Sequence, residues 1–239
     1  MMEKVTFTER LMEFGLTRQE ATIYQCLLGE GKMTGYEVAK QTGISRSNAY
    51  NSLASMTEKG AAYLVEEGNT RKYVPVPVEE FCKNRIRRME EARQWLKIHV
   101  PSEKTHVEGY ITIEGARNIL AKMRNLLDKV ELRVYISCTR NYLLLLVREL
   151  EELKRAGKKV VIVTDQPVTF SGAKVYVGKS RGMQIGVIAD SRYVLTGEYG
   201  EGSMNTCLYS GQKNFVELYK TALGNEIKLL TIQEEKNKA

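Results

Sequence analysis

The sequence of 239 residues has few of the side chains that bind metals or carry redox chemistry. It contains two histidines and four cysteines, and the cysteines are scattered singly. With neither a C-x-x-C pair nor a histidine cluster, a zinc site is not expected, and isolated cysteines of this kind are usually small buried hydrophobes. We therefore expect no metal and no cofactor.

Long apolar runs are also missing. The densest run, at 142–147, is far shorter than the roughly 20 residues that a membrane span requires. The first ten residues alternate charges and lack the apolar segment of a secretion signal. The sequence therefore predicts a cytoplasmic protein with no membrane partner.

Basic residues are in excess, and the formal net charge of +7 suits a nucleic-acid partner. The excess is spread along the chain. Residues 1–100 hold 15 Lys and Arg against 13 Asp and Glu, or +2, and residues 101–239 hold 21 against 16, or +5. Because neither part is strongly basic, a DNA-binding region can be identified only from motifs.

Three capped helices are predicted near the N-terminus. Thr17 with Glu20, and Thr34 with Glu37, fit the capping box, in which each side chain bonds the other residue's backbone N–H. Ser45 is the expected cap of the third helix. Glycines are expected to end these helices, at Gly29 and Gly31, at Gly43 and at Gly60.

The third helix has two different faces. Ala49, Leu53 and Met56 lie at i, i+4 and i+7 and are predicted to face the core. The opposite face is polar with one aromatic residue. A helix, a glycine-containing turn and a second helix with such a face are typical of helix-turn-helix DNA readers. The predicted DNA contacts on this helix are Ser45, Arg46, Ser47, Tyr50 and Asn51.

A β-hairpin is predicted directly after the third helix. Its strands, at 61–66 and 71–76, flank the turn sequence Glu67-Gly68-Asn69. Arg71 and Lys72 lie near the tip of this wing and are predicted to contact the DNA backbone. The order and spacing of these pieces favour DNA binding, and a winged helix that binds protein is the alternative.

Four segments together resemble the TrmB family of transcriptional regulators. They are 16–24 (LTRQEATIY), 44–50 (ISRSNAY), 58–60 (EKG) and 71–76 (RKYVPV). The family usually has a proline where this chain has Ser45, a change that is harmless at a helix start. The resemblance covers residues 10–80. It implies that Arg46, Ser47 and Tyr50 meet DNA and that the protein is a dimer.

A long helix without glycine or proline is predicted at 79–100, and Pro101 ends it. Its apolar residues follow the 4-3-4-3-4 spacing of a coiled-coil seam, interrupted by Arg93. We predict that this seam joins two copies of the chain, although an ordinary amphipathic helix packed on the chain's own second domain would show a similar pattern. The predicted dimerisation residues, which follow Cys82, are Ile86, Met89, Leu96 and Val100.

The remaining sequence predicts an α/β domain. Strands at 107–113, 132–137 and 158–164 alternate with helices at 115–129 and 141–156, in the order βαβαβ. Short strands at 173–178, 183–189, 192–197 and 204–209 and a final helix around residues 215–223 follow. The predicted fold is thus an α+β winged helix-turn-helix domain (1–77), a connecting coiled-coil-like dimerisation helix (78–101) and an α/β effector or dimerisation domain (102–239).

The layout and the stretch 183–205 of this last domain resemble half of a phospholipase-D-like domain. Active members carry His-x-Lys-x4-Asp, but here Met183 and Ile185 replace the histidine and the lysine, and Asp190 alone fits. The later Gly-Ser-x-Asn sequence, at 202–205, comes five residues too late. Because the mechanism needs an imidazole nucleophile and a cation, we expect no enzymatic activity, and Asp190 is expected to cap a turn.

The sequence therefore predicts a sequence-specific transcriptional regulator that binds double-stranded DNA as a homodimer, with a C-terminal domain that could bind a small-molecule effector. Two alternatives remain open. One is a phospholipase-D-like phosphodiesterase tethered to a winged helix, and the other is a winged-helix adaptor that binds protein.

Overall fold

The computed structural model describes residues 5–101, 109–179, 181–202 and 204–238. The start of the strand expected at 107–113 and Ser203 lie outside these residues. The chain divides into two compact units, residues 1–103 and 104–239. The elements of the first unit are α1 (Phe7–Glu13), α2 (Arg18–Glu30), β1 (Met33–Thr34), α3 (Gly35–Thr42), α4 (Arg46–Lys59), β2 (Ala62–Glu67), β3 (Thr70–Pro75) and α5 (Val78–His99).

The expected caps of the first unit are confirmed. Thr17 and Thr34 each take part in a complete capping box, and Ser45 accepts a hydrogen bond from the backbone N–H of Asn48 at 3.4 Å. Helix α1, which has its own capping box, was not predicted. The expectation that Gly29 helps to end α2 is wrong, because the helix continues to Glu30 and only Gly31, with φ 83°, leaves it.

A three-stranded sheet in the order β1-β3-β2 packs against the helices of the first unit. Strand β1 was not predicted, because two residues are too short to show a pattern. The Tyr24 hydroxyl of α2 donates a hydrogen bond to the Val76 carbonyl, at 2.6 Å, just after β3. Burial raises the pKa of Tyr24 to about 12. The wing is therefore anchored to the helical core at its base.

An ion pair joins the start of α2 to the end of α4. The Glu20 carboxylate accepts hydrogen bonds from the Thr17 N–H, at 2.6 Å, and from Lys59 Nζ, also at 2.6 Å. Burial opposes its ionisation, but these hydrogen bonds outweigh burial and lower the pKa of Glu20. Glu20 and Lys59 both belong to the segments that resemble TrmB, and here they hold two helices together.

The second unit is built around a seven-stranded sheet. Its elements are β4 (Tyr110–Glu114), α6 (Ala116–Leu127), β5 (Arg133–Ser137), α7 (Arg140–Leu143), a 3-10 turn (Leu144–Leu146), α8 (Val147–Arg155), β6 (Lys159–Thr164), β7 (Lys174–Val177), β8 (Gln184–Ala189), β9 (Tyr193–Glu198), β10 (Thr206–Ser210) and α9 (Lys213–Lys238). Helices α6 and α8 cover one face of the sheet, and α9 covers the other.

The strand order is β4-β10-β9-β8-β5-β6-β7, and only β5, β6 and β7 are parallel. The expected order βαβαβ along the chain is confirmed by β4, α6, β5, α7–α8 and β6, but β4 is not a parallel neighbour of β5, since it pairs with β10 in antiparallel orientation. The hairpin strands β8, β9 and β10 fill the space between β4 and β5. A pattern of alternating elements reports their order along the chain but not their neighbours.

The helix expected at 141–156 is broken into α7, the 3-10 turn and α8. In a 3-10 turn, side chains three residues apart lie on the same side. The turn thereby buries both Leu143 and Leu146, and α8 then buries Leu150. Leu144 and Leu145 are left largely exposed.

The fold class expected from the sequence is confirmed: a winged helix-turn-helix domain, a connecting helix and an α/β domain. Within the described residues, no helix combines the length and the apolar character needed to cross a membrane. The same part of the chain contains no group of three or more His, Cys, Asp or Glu side chains arranged to hold a metal ion.

Candidate nucleic-acid interface

Helix α4 presents the predicted contact residues on its outer face. Ser45, Arg46, Ser47, Tyr50 and Asn51 are all exposed. The three residues expected to face inward, Ala49, Leu53 and Met56, are fully buried. The helix therefore has the orientation that the sequence predicted, and its contact with DNA stays a prediction.

Arg46 is held by an aromatic ring of the preceding helix. Its guanidinium carbon lies 4.4 Å from the centre of the Tyr36 ring at the start of α3. A cation over an aromatic face is attracted by the ring's quadrupole. Arg46 consequently projects from α4 in a restricted position, which lowers the entropy cost of a contact with a base or phosphate.

Tyr50 lies directly on the backbone of α3. A Cβ atom added at Gly35 would come within 2.5 Å of the Tyr50 ring, so only glycine allows this approach. The ring packs on one side and is exposed on the other, since 45% of Tyr50 remains accessible. Tyr50 is therefore a fixed part of the outer surface.

Ser45 has a structural task in addition to its predicted contact. Its hydroxyl oxygen accepts the Asn48 N–H and lies 3.5 Å from the Ser47 hydroxyl. The cap fixes the start of α4, where the exposed polar face begins. A contact to DNA through Ser45 would use the hydroxyl proton rather than the oxygen's capping lone pair.

The cations of the wing are paired with carboxylates of the same hairpin. Arg71 Nε lies 3.2 Å from Glu66, and Lys72 Nζ lies 2.9 Å from Glu67. Lys32, outside the hairpin, also contacts Glu67. Hydrogen bonds from Lys32 and Lys72 lower the pKa of Glu67 to about 2, and Glu67 in turn raises the pKa of Lys72. The wing is therefore less positive than its basic residues suggest.

The sequence analysis missed the residues that contact the predicted DNA-binding side chains of α4 and of the wing. The Glu66–Arg71 pair had a usable signal, because the two residues are opposite each other in the hairpin register. Gly35 and Tyr36 had none, since their roles depend on how α3 packs against α4. These missed residues are Gly35, Tyr36, Glu66 and Glu67.

Helix α5 carries the predicted dimerisation residues, and all are more than half exposed: Ile86 (60%), Met89 (61%), Leu96 (61%) and Val100 (51%). Cys82 instead packs against the core of the first unit. Arg93, which interrupts the seam, pairs with Glu90 at 2.7 Å. Trp95 and Ile98 form a second exposed apolar stripe that the seam spacing did not include. The pairing of the four predicted seam residues with a second copy of the chain stays a prediction.

Asp190, the residue that fits the phospholipase-D-like motif, forms hydrogen bonds with backbone N–H groups. Its carboxylate accepts hydrogen bonds from the N–H groups of Glu131, Leu132 and Arg133 at 2.7, 2.8 and 2.8 Å. Burial opposes its ionisation, but the three hydrogen bonds outweigh burial and lower the pKa of Asp190. Asp190 therefore joins the turn after β8 to the start of β5, as the capping interpretation expected.

The position of the missing lysine, Ile185, is apolar and buried. Ile185 belongs to the core beneath α6 and α8. Tyr142 and Tyr199 meet edge to face, with ring centres 4.9 Å apart. Two thiols of this core, Cys138 and Cys207, have pKa values raised by burial to about 12 and about 11. These thiols stay protonated at neutral pH and do not provide a replacement nucleophile.

Residues 11–79 match the family model described as "Sugar-specific transcriptional regulator TrmB". The chain is 29% identical over 226 residues to "Uncharacterized protein YrhO" of Bacillus subtilis, covering 93% of this chain and 77% of that protein. It is 24% identical over 210 residues to the "HTH-type sugar sensing transcriptional regulator TrmBL1" of Pyrococcus furiosus, covering 85% of this chain and 59% of the relative.

A solved structure of TrmBL2, described as an archaeal chromatin protein with a novel mode of DNA binding, is also similar. It is 20% identical, has a TM-score of 0.46, and covers 93% of this chain and 97% of the other. The chain spans less than two thirds of the length of TrmBL1, so what that relative does as a whole protein does not transfer directly.

Proposed function

Because residues 11–79 match the TrmB family model, we propose that the chain is a transcriptional regulator that binds double-stranded DNA sequence-specifically, as a homodimer, in the cytoplasm. The observation that carries the proposal is the outer face of α4. That face is exposed and buttressed by α3 through the Tyr36–Arg46 and Gly35–Tyr50 contacts. Helix α4 enters the major groove, where Arg46, Ser47, Tyr50 and Asn51 reach bases or phosphates.

The wing has a supporting role in this proposal. Arg71 and Lys72 contact phosphates. Their ion pairs with Glu66 and Glu67 must break before they do so. Such exposed ion pairs are weak, so the exchange costs little. The wing therefore adds affinity that does not depend on base sequence.

We test this interface by measuring DNA affinity at several salt concentrations. Arg46→Ala should weaken binding to the native operator by roughly 1–3 kcal/mol if Arg46 reads a guanine. Lys72→Ala should weaken all sequences alike and lower the salt slope by about one. Arg10→Ala, which removes an exposed cation on α1, is the matched control and should change neither quantity.

Normal operator binding by folded Arg46→Ala and Lys72→Ala variants would show that the docking face is wrong. A wild-type chain that binds no DNA at low salt would favour the adaptor. The operator itself is found by selecting bound DNA from a random pool.

The dimer is proposed to form through α5. Replacing Ile86 with Glu and Leu96 with Lys places charges in an apolar seam and should dissociate the dimer, because buried unpaired charges are costly. Sedimentation at low protein concentration measures this, with Leu132→Glu, another exposed leucine, as control. An unchanged dimer would show that α5 is dispensable, and a monomeric wild type would refute dimerisation.

The second unit is proposed to bind an effector or to support dimerisation, without catalysis. The position of Ile185 in the core and the engagement of Asp190 by three N–H groups support this role. A chromogenic phosphodiester is the substrate that tests for catalysis. Hydrolytic activity that copurifies with the chain and is lost in Asp190→Ala would favour the phosphodiesterase instead.

A further inference from the structure

A cavity of about 750 Å³ lies in the second unit between the broken helix α7–α8 and the loop that follows β6. Half of its lining residues are apolar, and they come from both walls. The helical wall presents Leu143, Leu144 and Val147, and the loop wall presents Pro167, Val168 and Phe170. The break in the helix matters here, because it leaves Leu144 half exposed toward the cavity. The volume is within the range of small-molecule sites.

The two walls are tied together at both ends. The Asp165 carboxylate accepts the backbone N–H of Arg140 at 2.9 Å, which joins the start of the loop to the start of α7. Lys154 Nζ of α8 donates to the Ser171 carbonyl at the end of the loop. A Cβ atom at Gly172, whose φ is 71°, would collide with Lys154. The cavity is therefore framed by the fold before any ligand arrives.

The charges around the cavity are unequal. Arg155 pairs with Glu151 at 3.2 Å, and Lys154 is engaged by the Ser171 carbonyl. Arg140 lines the cavity at the start of α7, and its guanidinium has no ion pair within the described part of the chain. Asp165, the acid next to it, contacts the Arg140 backbone rather than the guanidinium. Arg140, a cation without an ion pair among the described residues, thus lies beside apolar side chains, and Glu151 disfavours a second anionic group further along.

We propose that this cavity binds a small monocarboxylate with an apolar body, of the class of medium-chain fatty acids. The planar guanidinium of Arg140 matches a carboxylate with two parallel hydrogen bonds. The apolar body lies along Leu144, Val147 and Phe170 and leaves water. Binding itself is independent of DNA, and only its regulatory meaning rests on the proposed function.

Calorimetric titration of the full chain, without DNA, tests the proposal with octanoate and with the neutral analogue octanol. Octanoate should bind one site per chain, about tenfold more tightly than octanol. Arg140→Gln should remove that difference. Leu144→Trp should weaken binding of both probes, because the larger side chain narrows the cavity along its helical wall. Leu145→Trp adds the same bulk at the adjacent exposed residue outside the lining, and should bind like the wild type.

Absence of octanoate binding, equal affinity for the two probes, or octanoate binding unchanged in Arg140→Gln and Leu144→Trp would overturn the proposal. Unfolding curves of each variant show whether it is folded, and Arg140 and Leu144 are exposed enough for replacement to be tolerated. DNA affinity is measured separately. A chain that binds octanoate but no DNA refutes the proposed function and leaves this inference intact, and the reverse result refutes only this inference.

Discussion

The helix starts of the two units are stabilised in different ways. In the first unit, Thr17 and Thr34 close capping boxes that span three residues. In the second unit, helices α6, α7 and α8 have no side-chain cap within the described residues, and the first N–H of α7 is held by Asp165, 25 residues later. Local sequence thus caps the starts of α2 and α3, whereas a distant carboxylate holds the start of α7.

The largest effect is expected from breaking the distant contact that Asp190 makes. Asp190→Ala removes the acceptor of three backbone N–H groups 57–59 residues away, and should lower the free energy of unfolding of the second unit by about 3 kcal/mol. Chemical denaturation measures the loss. Asp128→Ala, an exposed carboxylate at the end of α6, is the control and should stay within about 0.5 kcal/mol of the wild type.

The same contact predicts a dependence on pH. The pKa of Asp190 is lowered in the folded state, so its contribution is present above its ordinary pKa, near 4, and is lost as the pH falls through the lowered value. In Asp190→Asn that loss should be absent, and the stability curve should be flatter below about pH 4. If the free energy of unfolding depended on pH in the same way for the wild type and Asp190→Asn, the stabilising role of the ionised Asp190 carboxylate would be contradicted.

A smaller effect is expected from removing a local cap. Thr17→Ala should cost about 1 kcal/mol of stability, because the Glu20 N–H loses its acceptor. Thr139 occupies the equivalent position before α7 with the same extended backbone but makes no cap hydrogen bond, so Thr139→Ala should cost less than about 0.5 kcal/mol. Equal costs for the two variants, measured by denaturation, would remove the distinction between the units.

The smallest effect concerns an exposed contact in the first unit that spans 35 residues. Glu67 pairs with Lys32, which is exposed, and with Lys72, which is half-buried, and ion pairs at the surface are weak, so Glu67→Gln should leave stability nearly unchanged. It should tighten DNA binding about threefold at low salt, because two lysines become free for phosphates. Glu13→Gln, which frees Arg10 on α1, is the control. Weaker DNA binding in Glu67→Gln would show that the wing does not approach the phosphates.

The difference between the units also explains what could be predicted from the sequence. Thr17, Thr34, Ser45 and Gly60 placed the helices of the winged domain because each acts on its neighbours. The position of β4 and the break between α7 and α8 were missed, since they depend on strand pairing and on burial of Leu143 and Leu146. Five outward side chains of α4 were predicted, but the glycine and tyrosine of α3 that support them were not.

The contact between Gly35 and Tyr50 limits how the proposed DNA-binding surface of α4 can evolve. As long as Tyr50 is retained, any side chain at position 35 would displace its ring, so selection on the outer face of α4 also acts on a residue of α3. A smaller residue at position 50 would relax the constraint and let position 35 drift. The two sites should therefore covary among homologues, and a change of operator preference through position 50 would be followed, rather than preceded, by substitution of the glycine.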